Sequence, residues 1–451
     1  VTVADLNQSY AIVGVGNRTV IMELGVDRSI VELWDFDHFR KKLIKETVRV
    51  RLPDGKIKVM GLADFWLKHR QGRQYNKLVY AMPGSRQQAG PNDYNGWQGF
   101  SVEPKPGCWD LNREHIRHII CNGDPFAFKW VMNWSAALIQ FPGRHAWVAL
   151  VMKSGQGTGK GHYANNMIGR LFGPQQYIHI LGSGQLTGEH NEHLSGKCFV
   201  FADESTWGGD PRAAAKIKGL ITEDTTPIHR KFLKIVDEPS MLHICIASNN
   251  EWPIPIEPGD RRFTVLEVSE EKKQDQRYFG QLLAELKNGG HAAMLAELLE
   301  HEIDDDMLRI PYNTDAKASV AIHTLKPVEH WWFSLLQRGA IINEEWPYTM
   351  VKRNLHDNYM AFLDRYHPHN RERKSTEMEL GWFLKRHAPI TQQKTLNGKS
   401  ERVVTIPPLD VCRLEWLKSV GWRLTYTWKV DDEVEPEDDG GPPPPKDLEE
   451  M

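Results

Sequence analysis

The chain has 451 residues, 40% hydrophobic and 25% charged, with a formal net charge of −3. That length supports two or three domains with a large buried core. The near-neutral balance excludes a global basic field, so any nucleic-acid contact has to come from local patches. The five cysteines, Cys108, Cys121, Cys198, Cys245 and Cys412, follow no framework spacing, which predicts reduced thiols and an intracellular, cytoplasmic setting. No apolar run reaches transmembrane length and no signal peptide is read, so no membrane contact is expected. The chain opens on Val1 and closes on a Pro-rich acidic stretch, which reads as a piece of a longer protein.

Residues 1–125 read as an α/β segment. Tyr10–Met22 predicts two strands joined at Gly16-Asn17, and Thr47–Val59 a second hairpin turning at Asp54-Gly55. Phe65–Arg70 suggests a helix. Asp35-Phe36-Asp37 reads as an exposed strand face; no third acidic strand accompanies it, as a nucleotide-polymerising site would need. Phe126, Trp130, Trp134 and Leu138 share a helical face. Residues 146 to about 268 then alternate apolar strands with polar connections, and 272–303 looks helical, so 126–325 reads as one core unit. A third unit over 326–430 predicts helices at Trp331–Leu336, Met350–Tyr366 and Met378–Arg386, with strands at Arg402–Ile406 and Trp422–Trp428. Residues 431–451 are acidic and Pro-rich and are expected to be disordered. Cys108, His115, His118 and Cys121 lie close in sequence, but the last three would wind around a helix, which argues against a zinc site.

The richest stretch is Ala149–Lys153 followed by Ser154-Gly155-Gln156-Gly157-Thr158-Gly159-Lys160-Gly161-His162. An apolar strand, a glycine loop ending in Gly-Lys and then a helix is the order of a P-loop. Its backbone N–H groups would close around phosphate oxygens, and Lys160 would supply a point charge. The pattern departs from the usual one at Ser154, where the first Gly is expected, and at Gly161, where a magnesium-binding hydroxyl is expected. Downstream, the apolar run Lys197–Ala202 ends in Asp203-Glu204. The first carboxylate suits magnesium and the second an attacking water. The next strand ends in Ser248-Asn249, where an amide can meet the outer phosphate or the water. Arg261-Arg262 precede a further strand and suit an arginine finger. Between these strands, His229-Arg230-Lys231-Phe232-Leu233-Lys234 sets basic residues around one aromatic, a composition that grips a nucleic-acid backbone.

This order of motifs resembles superfamily 3 helicases, and within them the phage and plasmid primase-helicases related to the poxvirus primase-helicase. Asn95–Phe100 and Cys121–Asp124 are similar to stretches of the same family. The resemblance is loose over residues 5–430 and specific between about 148 and 266. It implies an α/β fold: an AAA+-like P-loop ATPase core behind the N-terminal α/β segment, with a winged-helix-like domain over 326–430. It also implies ATP and Mg2+ as cofactors, a homo-oligomeric ring (a hexamer), and translocation on single-stranded or forked DNA in a bacterial host. By the same resemblance Lys160 is the phosphate lysine, Asp203 and Glu204 serve metal and water, and Asn249 is the sensor. Arg230, Lys231 and Lys234 belong to the DNA-gripping loop, and Arg262, with Arg261 as a near rival, is the finger.

The expected function is thus an ATP-driven replicative helicase of a phage or mobile element, with a primase domain or partner possible. Two rivals share the motifs: an ATP-gated initiator or loader that does not unwind, and a nucleic-acid packaging ATPase.

Overall fold

The computed structural model describes residues 2–26, 29–51, 55–204, 207–230, 235–342, 345–366, 373–387, 393–396, 399–423 and 425–428. Lys231, Lys234 and the 431–451 tail lie outside the described residues. The chain divides into two compact units, Val1–Thr324 and Leu325–Met451.

The first unit is built on a five-stranded sheet: β1 (Ala149–Lys153), β2 (Tyr177–Leu181), β3 (Phe199–Asp203), β4 (His243–Ser248) and β5 (Phe263–Glu267). The strands are parallel and lie in the order β2-β3-β4-β1-β5. All five residues of β1 and all six of β4 are buried. That is why these strands read as continuous apolar runs: helices cover both faces of a parallel sheet. The helix Pro125–Gln140 supplies much of this cover, with eleven buried residues. It starts where Asp124 accepts from the N–H groups of Phe126 and Ala127 and Pro125 takes the first turn, the arrangement that satisfies orphan donors at a helix start. Trp134 on this helix donates its indole N–H to the Val148 carbonyl at 2.9 Å, tying the helix to the entrance of β1.

Ahead of this core, Ile30–Trp34, Arg18–Leu24, Tyr10–Val15 and Gln74–Tyr75 form a four-stranded sheet. The hairpin turning at Gly16-Asn17 forms in the register predicted. The Asp35-Phe36-Asp37 reading is corrected. Asp35 is the N-cap of the helix Phe36–Lys42, its carboxylate accepting from the His38 N–H at 2.7 Å. An Asp before a helical stretch competes with a strand because its side chain satisfies the helix start. A two-stranded hairpin, Thr225–Ile228 with Val236–Pro239, projects between β3 and β4.

The second unit runs helix Pro327–Arg338, strand Thr349–Val351, helices Lys352–Tyr366 and Arg373–His387, strands Gln393–Leu396 and Lys399–Thr405, and helix Leu409–Val420. Its three strands pair antiparallel with Lys399–Thr405 in the middle. The strand expected over Trp422–Trp428 does not form among the described residues. The helix Leu409–Val420 ends instead at Gly421, in the left-handed region, and Trp422, Tyr426 and Trp428 pack around Phe333 with ring centroids 5.5–6.4 Å away. Three aromatics of this stretch wrap one ring instead of alternating between two faces of a sheet.

Among the described residues no helix is long and apolar enough to cross a membrane.

Candidate functional site

The C-terminal ends of β1, β3 and β4 lie side by side, because Lys153 pairs with Ser248 and Ala202 with Ile246. Ligands bind outside the carboxyl ends of the strands in such sheets. A cavity of about 500 Å³ opens there, lined by the glycine loop from Gln156 to His162 and by Asp203, Glu204 and Asn249. The residues singled out from three separate stretches of sequence therefore meet at one place. Residues beyond β5, including Gln274, Gln276, Phe279 and Leu283, complete the wall.

The loop owes its shape to two glycines. Gly157 has φ +75° and Gly159 φ +104°, backbone that L side chains rarely adopt. A Cβ on Gly159 would also sit 2.4 Å from Cε1 of the buried His115 ring. Gly161 is different. Its φ is −66°, and the nearest atom to an added Cβ is the Asn165 amide at 3.8 Å, so nothing in the backbone requires glycine there. Ser154, standing where a first glycine was expected, has a use. Its hydroxyl bonds Thr158 Oγ1 at 2.7 Å and accepts from Lys160 Nζ at 2.9 Å.

Lys160 is 6% exposed. Its ammonium donates to the carbonyls of Ser154 (2.9 Å) and Gly155 (2.8 Å) and to Asn249 Oδ1 (3.0 Å). These oxygens hold the group at the loop mouth. Burial pulls its pKa down from 10.5 to about 8, against the raising effect of Asp203, Glu270 and Glu267. An ammonium desolvated this way gains strongly from an arriving polyanion.

Asp203 is the last residue of β3, with His179 Nε2 3.6 Å from Oδ2. Glu204 has φ +49°, uncommon for a residue with a side chain. Such backbone strain gathers at functional sites. Its N–H is satisfied by Asp203 Oδ1 at 3.0 Å, leaving the Glu204 side chain exposed at the cavity. His162 lines the cavity too, but its Nε2 is held by Asn112 Oδ1 at 2.7 Å, and burial pulls its pKa to about 4, so it is neutral at pH 7.

The two arginines lie at the other end of the sheet. Phe263, which follows Arg262, pairs with Ala149 at the start of β1, so a strand's length, roughly 16 Å, separates them from their own glycine loop. Arg262 is engaged by Asp260, through its N–H at 2.7 Å and its guanidinium at 3.5 Å, whereas Arg261 is exposed. Arg230, expected in the DNA-gripping loop, is held within its own hairpin region. The side chain is buried, donating to Glu238 Oε1 at 2.7 Å and Ser195 Oγ at 3.1 Å, so its charge fastens the foot of the hairpin.

Sequence reasoning missed the strap after β5. Glu270 Oε1 accepts from the Gly155 N–H at 2.9 Å, Lys273 Nζ bonds Glu270 Oε2 at 3.0 Å, and the Gln274 N–H bonds the Gly157 carbonyl at 2.9 Å. A carboxylate thus occupies an N–H that a phosphate oxygen would use. Its only sequence signal is the charged run Glu270-Glu271-Lys272-Lys273 directly after a buried strand. His115 was also missed in this role. It packs on Gly159, and its Nδ1 meets the Tyr278 hydroxyl at 3.0 Å. Among the described residues no three His, Cys, Asp or Glu side chains gather as a metal cluster.

Residues 152–262, from the end of β1 to Arg262, match a family described as "Family of unknown function (DUF5906)". Over 172 residues the chain is 30% identical to the DNA Primase-polymerase of Nitratiruptor phage NrS-1. That alignment covers 37% of this chain and 23% of the phage protein, so the match spans under a quarter of that relative's length. Two solved structures share the fold. The apo structure of the NrS-1 C terminal region aligns with a TM-score of 0.62 at 16% identity over 88% of this chain and 96% of that one. The A form apo structure of the same region aligns with a TM-score of 0.61 at 16% identity, covering 90% and 98%.

Proposed function

We propose that this chain is the helicase portion of a phage or mobile-element replication protein: an ATPase that works as a homo-oligomeric ring, a hexamer, and moves along single-stranded DNA. The observation that carries the reading is the convergence of the glycine loop, Lys160, Asp203, Glu204 and Asn249 on one cavity at the carboxyl edge of a parallel sheet. Similarity to a phage DNA primase-polymerase supports the replication context. On this reading 1–125 is an N-terminal α/β segment, 126–325 a superfamily 3, AAA+-like P-loop core and 326–430 a winged-helix-like domain. The helix–strand–helix–helix–strand–strand order of the last, followed by the helix Leu409–Val420, supports that assignment.

The residues present fit ATP with Mg2+. Mg2+ is commonly held by one or two carboxylates, waters and substrate phosphates. Asp203 would supply the carboxylate, with waters and the phosphates completing the shell, since the Ser154 hydroxyl is already engaged by Lys160 and Thr158. The metal would neutralise charge developing on the phosphates. The chain's own groups do the rest. The loop N–H groups and Lys160 bind the β- and γ-phosphates. Glu204 orients the attacking water, and Asn249, released from Lys160, holds the water or the outer phosphate. Arg261 serves the cavity of an adjacent subunit, because it lies a strand's length from its own; Arg262, paired with Asp260, supports the turn. Lys231 and Lys234, in the sequence between the two hairpin strands, would track the DNA backbone.

The test is a fork-unwinding assay with ATP and Mg2+ beside electron microscopy of the assembly. Rings that unwind the fork support the reading. ATP hydrolysis by rings with no strand displacement turns it to a loader or initiator, and hydrolysis stimulated only by duplex DNA to a packaging motor.

A further inference from the structure

A second cavity, of about 400 Å³, opens at the amino end of the central sheet. One wall is the segment Gly143–Trp147 leading into β1. Another is Asp224, Pro239 and Ser240, at the foot of the Thr225–Pro239 hairpin, and Arg86 and Arg309 close the rim. The length of β1, roughly 16 Å, lies between this cavity and the glycine loop.

The lining is built for an oxyanion. Arg86 Nη1 pairs with Asp224 at 2.9 Å and Arg144 Nη1 with Asp305 at 3.3 Å. Both pairs are open to water, the Arg86 and Asp305 side chains being 78% and 64% exposed. Exposed pairs contribute little stability, so an arriving anion can take over the guanidinium groups. Arg309 makes no ion pair among the described residues; its guanidinium lies over the Trp147 ring, 4.7 Å from the centroid. Two buried polar atoms wait for a partner. His145 is 9% exposed, and among the described residues neither its Nε2 nor Ser240 Oγ has a hydrogen-bond partner. Such groups are costly when left unsatisfied.

We propose that this cavity is an oxyanion site that seats a backbone phosphate of a single nucleic-acid strand, held by Arg86, Arg144 and Arg309. Position argues for a strand rather than a free ion. The site lies at the foot of the Thr225–Pro239 hairpin, and the sequence that joins its two strands carries Arg230, Lys231 and Lys234, a basic run suited to a polyanionic chain. Only this choice of occupant rests on the function proposed above; ATP hydrolysis is not required for it.

The test is anisotropy of a fluorescein-labelled twenty-nucleotide oligo-dT, with melting curves to check folding; both arginines replaced are exposed. The Arg86→Ala/Arg309→Ala variant should bind roughly 10-fold or more weakly, with a salt slope smaller by up to about 0.7, the share of one phosphate on a single strand. Wild-type affinity and slope in a variant that melts normally would overturn the proposal. A second arm titrates inorganic phosphate calorimetrically into Lys160→Ala protein, which silences the glycine loop. If wild type ignores oligo-dT yet hydrolyses ATP, the strand is overturned as occupant. Phosphate heat that vanishes with the two arginines then supports the oxyanion site with a free ion in it; absence of any heat overturns the site as well.

Discussion

Replacing Gly159 by alanine tests the architecture of the loop more sharply than removing a charge does. The residue sits at φ +104°, where a Cβ costs roughly 1–2 kcal/mol. The added methyl would also stand 2.4 Å from His115 Cε1, 2.8 Å from its Nε2 and 3.0 Å from Phe279 Cε1. His115 cannot swing aside easily: it is fully buried, and its Nδ1 is held by Tyr278. Overpacking of this kind costs typically about 1–3 kcal/mol. Together the two effects predict a loss of roughly 2–5 kcal/mol, or distortion of the loop with loss of nucleotide binding. Gly161→Ala is the matched control. Its φ is −66° and its space is open, so the change should be neutral or stabilise by about 0.5–1 kcal/mol. Melting curves and titration with a fluorescent ATP analogue read both variants. A Gly159→Ala protein that melts and binds like wild type, or a Gly161→Ala protein as damaged as its neighbour, would refute the loop geometry.

Other outcomes follow from the same site. Glu204→Gln should bind ATP normally and turn it over slowly, by roughly 10²-fold or more; unchanged turnover per bound nucleotide counts against the water-orienting role. Glu270→Gln should bind ATP more tightly than wild type, because a carboxylate no longer competes for the Gly155 N–H; weaker binding would assign Glu270 to the nucleotide complex instead. Mixing Arg261→Ala with Lys160→Ala subunits should restore some hydrolysis through the intact interfaces, while the same mix made with Arg262→Ala should owe any rescue to structure rather than contact; no rescue by Arg261→Ala in mixed rings that demonstrably form rules out a shared site. The lowered pKa of Lys160 also fixes a sign. In the empty site the ammonium is lost above about pH 8, and bound phosphates raise it back. ATP affinity should therefore fall as pH rises through 8, and binding between pH 8 and 10 should take up protons. Calorimetry in buffers of different ionisation enthalpy measures the uptake, and release of protons would contradict the assignment.

Much of the site was legible because its chemistry is tied to strand ends. Gly157, Gly159 and Lys160 follow an apolar run, Asp203-Glu204 end another and Asn249 a third. Parallel pairing then forces these ends together whatever the intervening sequence. What sequence did not reveal depends on contacts between distant segments. Glu270 and His115 touch the loop only because the strap and the helix beginning at Asp110 fold over it. Arg230 looked like a DNA contact until Glu238 and Ser195 were found to hold it, a partnership across a hairpin that linear spacing cannot display. The Asp35 helix cap and the ring of aromatics around Phe333 are local cases of the same limit. A capping carboxylate and an alternating aromatic pattern each have a strand-like reading until tertiary packing selects the other.

The central claim is that the cavity over the glycine loop hydrolyses ATP. The most direct measurement is steady-state phosphate release from ATP and Mg2+ in the presence of single-stranded DNA, by wild type and by Lys160→Ala protein of equal melting temperature. The account predicts DNA-stimulated release by wild type and a fall to background in the variant. Equal release by both proteins, or none from wild-type assemblies under any nucleic acid, would contradict it.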